Sequence, residues 1–479
     1  MQTLTNLDAS FLHLEKDSTP MHVGGVLLFA PPREGAMTFE RFRRHVGNRL
    51  QTARVFRQRL YTPPGFLGNP VWIEDPEFRL DNHLRRRTVS HSLSLTALEG
   101  LASGFFSRPL RRDQPLWELM YVHTPHPEDG FALLLKVHHC ALDGVSAEAV
   151  ITGLLDFTPE PRPMGVDGWQ PEALPTLAAT VRRRAGDLTD TVRLRRRGVS
   201  LVKAAASVGG HWLQHNVGPR RDRGLPRYFA APGTPFNRPV GTEREYFGVQ
   251  LSLSTVKAVK NTQPGCTVND VVLAVCAGAV RRYLAETGEL PAAPLVAMAP
   301  VSRRSDPDKT LGGNQVSSML IRLATDIEDP VQRLLHIHRN AEQAKRYNRE
   351  VPVDALLDHL PSAAPGVALT AYSRLNLARR VPPMFNLVVT NVPGSPLPLY
   401  FDGAMLKSLG GMAGIYDGMA LTLVVMSYLD QLSISITTTP EAVRKPTRLA
   451  RYLEEALEEL AAAVLPVAVA GRARSVACA

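Results

Sequence analysis

The chain has 479 residues, of which 44% are hydrophobic and 21% charged, with a formal net charge of +10. That composition suits a globular protein large enough for more than one lobe, and it excludes a mainly disordered or fibrous chain. The opening residues Met1 to Asn6 lack a basic stretch leading into an apolar run, and no segment reaches the roughly 18 apolar residues of a membrane span, so neither a secretion signal nor a transmembrane helix is expected.

In chain order, Val23 to Phe29 and Phe131 to Val137 are β-rich runs, and Ser146 to Phe157 carries apolar residues at helical spacing. Proline-rich punctuation follows at Thr158 to Pro163, and again at Pro226, Pro232, Pro235 and Pro239. Between these lies the segment Val181 to Arg227, with twelve basic residues against three acids, which carries nearly all of the excess charge. Val181, Ala185, Leu188, Val192, Val199 and Val202 recur there at helical spacings, predicting a basic amphipathic helix. Such a helix suits an anionic membrane surface, with Arg193, Arg195, Arg196 and Arg197 toward the lipid, or else packs its stripe on the protein and solvates its arginines. Nucleic acid is disfavoured, because no aromatic platform or binding motif accompanies the charge.

Further on, Thr267 and Asp270 form a capping-box pattern ahead of Val271 to Val280, and Asp329-Pro330 reads as an N-cap followed by proline at the first helical position. Leu421 to Tyr428 and Leu432 to Thr438 flank Leu429-Asp430-Gln431 as a hairpin. The class is α/β, in three units: a first lobe over 1–165, a basic crossover over 166–240 and a second lobe over 241–479.

The chemical signal is His138-His139-Cys140-Ala141-Leu142-Asp143-Gly144, directly after a strand and before a helix. Adjacent strand residues face opposite ways, so one histidine is expected to act and the other to support it. A neutral imidazole is a natural general base toward a hydroxyl, although a histidine pair in a turn is also an ordinary packed feature. Metal binding is not expected. The four cysteines, Cys140, Cys266, Cys276 and Cys478, stand at no ligand or disulfide spacing, which also points to the cytosol. The histidine pair lacks a ligand companion at metal spacing, His211 and His215 sit amid cations, and His336 and His338 offer no stronger pattern. Serine-hydrolase elbow, Walker loop and dinucleotide fingerprint are all absent, so no bound cofactor is expected.

The seven residues from His138 to Gly144 match the HHxxxDG motif of CoA-dependent acyltransferases, and other segments narrow the likeness. Leu7 to Leu12 through Glu15 to Pro20-Met21-His22-Val23-Gly24, Pro115-Leu116-Trp117-Glu118, Asn269 to Ala274, Gly313-Asn314-Gln315, Thr390 to Gly394 and Tyr416-Asp417-Gly418-Met419 occur in that order along nearly the whole chain. In these motifs the chain resembles the bacterial wax ester synthase/diacylglycerol acyltransferase family. The resemblance implies two chloramphenicol-acetyltransferase-like lobes with a tunnel between them and His139 as general base. It also implies His138 as a brace and Asp143, followed by Gly144, holding the turn through an ion pair with an arginine. Acyl-CoA would be cosubstrate, diacylglycerol or a long-chain alcohol the acceptor, and a membrane or lipid-droplet surface the site of peripheral attachment in the cytoplasm.

Asn269 is the first candidate for an oxyanion donor and Asn391 the second, although a helix start and a turn would each explain an asparagine. Pro115 and Trp117 either shape the tunnel or pack the core, and packing is the favoured reading. The chain has no DFGWG segment, unlike plant acyltransferases, and no carrier domain, unlike peptide-synthetase assemblies. A carrier-bound acyl donor is the enzymatic alternative, and a non-enzymatic lipid-surface protein is the other.

Overall fold

The computed structural model describes residues 2–62, 69–142, 147–171, 226–302, 316–350 and 380–466. Fifteen strands, numbered in chain order, form three sheets among these residues. The smallest joins β1 (Gln2–Thr3), β3 (Gln58–Tyr61) and β4 (Val71–Glu74).

A first large sheet contains β2 (His22–Phe29), β5 (Leu84–Thr88), β6 (Trp117–His123), β7 (Phe131–His138), β12 (Tyr400–Phe401) and β13 (Ala404–Met412), in the order β12-β13-β2-β7-β6-β5. Its central strands are apolar on both faces because a layer covers each. Leu27, Phe29, Trp117, Leu119, Phe131, Leu133 and Leu135 enter one core, while Val26, Leu28, Met120, Val122, Ala132 and Leu134 enter another. This is the two-residue alternation of a pleated strand. On the first face lie α1 (Asn6–Leu14), α2 (Phe39–Arg49) and α4 (Ala147–Leu154), and on the second lies α3 (Glu99–Phe106). Arg49 and Asp156, both buried, make a bidentate pair at 2.9 and 2.6 Å that ties α2 to the chain leaving α4.

The second large sheet has the order β10-β9-β11-β14-β15-β8, built from β8 (Glu245–Ser252), β9 (Val296–Ser302), β10 (Val316–Arg322), β11 (Leu387–Val392), β14 (Leu421–Tyr428) and β15 (Gln431–Thr438). Over it pack α5 (Leu253–Thr262), α6 (Val268–Glu286), α7 (Pro330–Glu350) and α8 (Pro446–Val464), enclosing the largest core. The capping box of α6 is complete, with Thr267 Oγ1 accepting from the Asp270 N–H and the Asp270 carboxylate accepting from the Thr267 N–H. Asp329 accepts from the Gln332 N–H at 2.7 Å and starts α7 as its sequence implies. The hairpin differs slightly: Gln431 pairs with Tyr428 inside the ladder, leaving a two-residue turn in which Leu429 takes a φ of +53°.

Chain order and sheet membership do not coincide, since Tyr400–Met412, from the unit spanning 241–479, pairs against β2 in the first sheet. Three further features join the lobes. Lys16 pairs with the buried carboxylate of Asp417. Gly410 and Gly411 on β13 permit close approach, because a Cβ there would stand 2.4 Å from Tyr246 Oη and from Val424 Cγ1 respectively. Finally, Glu99, Ser103 and Ser107, spaced at four residues along and just beyond α3, accept hydrogen bonds at 3.2, 2.9 and 2.9 Å from the backbone N–H groups of Gly248, Tyr246 and Arg244 on and beside the edge strand β8.

Candidate active site

The histidine pair stands where β7 ends. His138 is the last residue of the strand, opposite His22 on β2, and its N–H donates to the Leu116 carbonyl at 2.9 Å. His139 opens a single 3-10 turn, and its N–H donates to the Met21 carbonyl at 2.8 Å. Both backbones are therefore fixed by segments on either side before the side chains are considered.

His138 is sealed. Its Nδ1 accepts from the Cys140 N–H at 3.2 Å, with Cys140 Sγ also at 2.9 Å, so the ring proton belongs on Nε2. That nitrogen approaches Glu15 Oε1 at 3.3 Å, outside good hydrogen-bond alignment. Glu15 Oε1 also accepts from the Met21 N–H at 3.1 Å, and Glu15 Oε2 takes two bonds from Arg112 at 2.9 and 2.6 Å. Burial alone would raise the Glu15 pKa. His138, Arg112 and the Met21 N–H outweigh it and hold the carboxyl at about 2. Burial, reinforced by the charges of Asp8 and Glu15, keeps Cys140 a thiol.

His139 is partly open. Its ring stacks on Phe11 with centroids 3.8 Å apart and planes at 22°. Its Nδ1 is buried and has no hydrogen-bond partner. Burial first and the neighbouring His138 second lower its pKa to about 4, against a smaller opposing pull from its own backbone carbonyl. The imidazole is thus neutral near pH 7, the state in which it can accept a proton.

Phe11 and Glu15 complete this site, though sequence reading valued them only as parts of an opening motif. Their four-residue spacing is the available signal, because it puts Phe11 on α1 and Glu15, the residue that caps its C-terminus, on the same side, where one supports each histidine. His22 has a structural post, with Nε2 bonded to the Phe106 carbonyl at 2.8 Å and burial pushing its pKa down to about 3.

Asn269, in the first turn of α6, and Asn391, on β11, meet: Asn391 Nδ2 donates to Asn269 Oδ1 at 3.4 Å. Trp117 is fully buried at the start of β6, donating Nε1–H to the Phe56 carbonyl at 2.9 Å and stacking on His83 at 4.5 Å. Pro115 is also buried, and its carbonyl accepts from the Trp117 N–H. Asp143, Gly144, Arg193, Arg195, Arg196 and Arg197 lie outside the described residues. Among the described residues, no helix is long and apolar enough to cross a membrane.

Residues 4–272 match the wax ester synthase/diacylglycerol acyltransferase catalytic domain, and residues 312–461 match the C-terminal domain of the same family. The chain belongs to this family. Among its relatives is the O-acyltransferase WSD of Acinetobacter baylyi, 30% identical over 464 residues that cover 96% of each chain. A Mycobacterium tuberculosis protein with the provisional name diacylglycerol O-acyltransferase is 32% identical over 465 residues, covering 96% of this chain and 90% of its own. The wax ester synthase/diacylglycerol acyltransferase of Marinobacter aquaeolei VT8 superposes with a TM-score of 0.69 at 29% identity, covering 97% of this chain and 100% of that one. Trichothecene 15-O-acetyltransferase from Fusarium sporotrichioides, at 12% identity and a TM-score of 0.56 over 96% of this chain and 94% of its own, shares the fold. The fold class is the expected one, α/β with chloramphenicol-acetyltransferase-like lobes.

Proposed function

We propose that this family member is an acyl-CoA-dependent O-acyltransferase that moves a long-chain acyl group to diacylglycerol, to a fatty alcohol, or to both. His139 is the general base. Its imidazole, held flat against Phe11 just past the end of β7 with Nδ1 unpartnered, is the observation that carries the reading. As the acceptor oxygen attacks the thioester carbonyl, His139 takes the hydroxyl proton; the tetrahedral intermediate collapses by breaking the C–S bond, and the proton passes to the departing thiolate of CoA. No acyl-enzyme forms. His138 acts through packing, because its Nδ1 is already an acceptor and its Nε2 faces Glu15.

The oxyanion of the intermediate requires donors, and one such donor is commonly worth about 3 kcal/mol of barrier. We assign this role first to the Asn269 amide, with Asn391 bonded to its Oδ1 so that the Asn269 N–H₂ is left to point elsewhere. Asp143 and Gly144 hold the turn after His139. The unit 166–240 serves as the crossover between lobes, and Arg193, Arg195, Arg196 and Arg197 attach the cytoplasmic enzyme to an anionic membrane or droplet surface.

The test is CoA release from palmitoyl-CoA with hexadecanol or dipalmitoylglycerol, with lipid products resolved by chromatography and His139→Ala as the comparison. Ester formed by the wild type and lost in the folded variant supports the reading, and the better acceptor names the substrate. Folded wild type yielding no ester with either acceptor would overturn it, in favour of a carrier-bound donor or a lipid-coat role. For surface attachment, unaltered binding of the four-arginine-to-glutamine variant to anionic liposomes at low salt would remove that part of the proposal.

A further inference from the structure

Away from the histidine pair, the turn leading into α6, the first turn of α6 and the distant helix α7 bring Cys266, Asp270 and His338 together. One donor atom each from Cys266, Asp270 and His338 lies within 4.8 Å of the others. Cys266 is 7% exposed and Asp270 is fully buried. One oxygen of Asp270, Oδ2, accepts from the Thr267 N–H and from His338 Nδ1, both at 2.9 Å. The other, Oδ1, is buried with no hydrogen-bond partner. A buried carboxylate oxygen left without a donor is costly, and a cation is one of the few groups that repays it. Gly265, at φ +81°, brings the backbone close to the imidazole: a Cβ there would stand 3.4 Å from His338 Nε2.

We propose that Cys266, Asp270 and His338 form a site for a divalent transition metal ion of the Zn²⁺ class. Thiolate, imidazole and carboxylate together are a borderline-soft donor set that favours Zn²⁺ over Mg²⁺ or Ca²⁺. Around a tetrahedral ion with bonds of about 2.0–2.3 Å, donor atoms stand roughly 3.3–3.6 Å apart. The donor atoms already lie within 4.8 Å of one another, and the hydrogen-bonded His338–Asp270 pair at 2.9 Å would open slightly to admit the ion. Water supplies the fourth ligand. Binding converts the Cys266 thiol to thiolate and releases one proton, while the imidazole shifts its own proton to the nitrogen that the metal does not use. The ion would bolt the first turn of α6, which carries Asn269, to α7.

The site is invisible to spacing rules because His338, on α7, follows Asp270 by 68 residues. The test uses the full-length protein, freed of metal with chelator and titrated with Zn²⁺ by calorimetry and with Co²⁺ by absorption. Expected are one ion per chain, a thiolate-to-cobalt charge-transfer band with tetrahedral d–d absorption, and a rise in Tm with Zn²⁺. Cys266→Ser and His338→Ala should each lower affinity by at least the roughly 10–100-fold that losing an outer-shell partner costs, and Cys266→Ser should abolish the charge-transfer band. His336→Ala, altering the exposed neighbour, should change nothing. Wild type that binds no Co²⁺ through sulfur, or folded Cys266→Ser that binds Zn²⁺ as tightly as wild type, would overturn the proposal. The wild-type cobalt spectrum decides the matter even if a variant fails to fold.

Discussion

Replacing Glu15 with glutamine keeps its shape and removes one charge, so it isolates what that carboxylate does beneath the histidines. Its pKa in the folded chain is about 2, against an ordinary 4.5. At about 1.36 kcal/mol per unit the charged form is favoured by roughly 3 kcal/mol, and because Arg112 is nearly half exposed, solvent screening reduces the expected loss to about 2 kcal/mol. The sign follows from a depressed acid pKa: the stabilisation is complete above the unfolded value, begins to fade as pH falls below about 4.5, and is lost as pH passes through about 2. Urea denaturation of wild type and Glu15→Gln, compared at pH 7 and again near pH 3, should give a gap of about 2 kcal/mol that shrinks to half or less. Turnover should fall some 10- to 100-fold through misplacement of the histidine turn, with KM changing less. Equal stability at pH 7, or a gap indifferent to pH, would refute the placement of Glu15 as the charged support of His138.

Three other outcomes follow from the same geometry. Truncating Trp117 to alanine should cost about 3–5 kcal/mol by urea denaturation, because it empties the space against Phe56 and His83; a loss below about 1 kcal/mol would mean the ring is not a core element. Asp156→Asn should destabilise by about 3–5 kcal/mol by stranding Arg49, whereas Arg49→Met with Asp156→Leu should cost far less, and equal losses in the single and double variants would contradict a desolvated pair. The acidic limb of kcat/KM attributable to His139 should fall near pH 4, since the base is neutral above its depressed pKa; a limb centred at the ordinary histidine value of about 6.5 would show that burial does not govern this ring.

What could be read beforehand was local. The strands around Val23–Phe29 and Phe131–Val137, the capping box at Thr267 and the proline start at Asp329-Pro330 each depend on a few adjacent residues, and both strands and both helix starts stand within a residue of expectation, although the helix after Thr267 runs on to Glu286, beyond Val280. The hairpin turn is one residue shorter than the sequence suggests, because Leu429 is a poor sequence marker for positive φ. Long-range pairings left no periodic trace: β13 joining β2, Glu15 reaching Arg112 and His138, and Cys266 meeting His338 all arise from packing between distant segments. The histidine motif was legible as chemistry, but its support by Phe11 and Glu15 depends on α1 lying across the turn.

The contact between α3 and β8 has a consequence for how the protein fails. A strand edge ordinarily presents a row of free N–H groups that another chain can adopt. Here the donors of Arg244, Tyr246 and Gly248 are occupied by Ser107, Ser103 and Glu99. Any excursion that parts the lobes therefore uncovers an adhesive edge at the same moment. Separation of the lobes and exposure of β8 to pairing with a second chain are thus coupled by the same three hydrogen bonds.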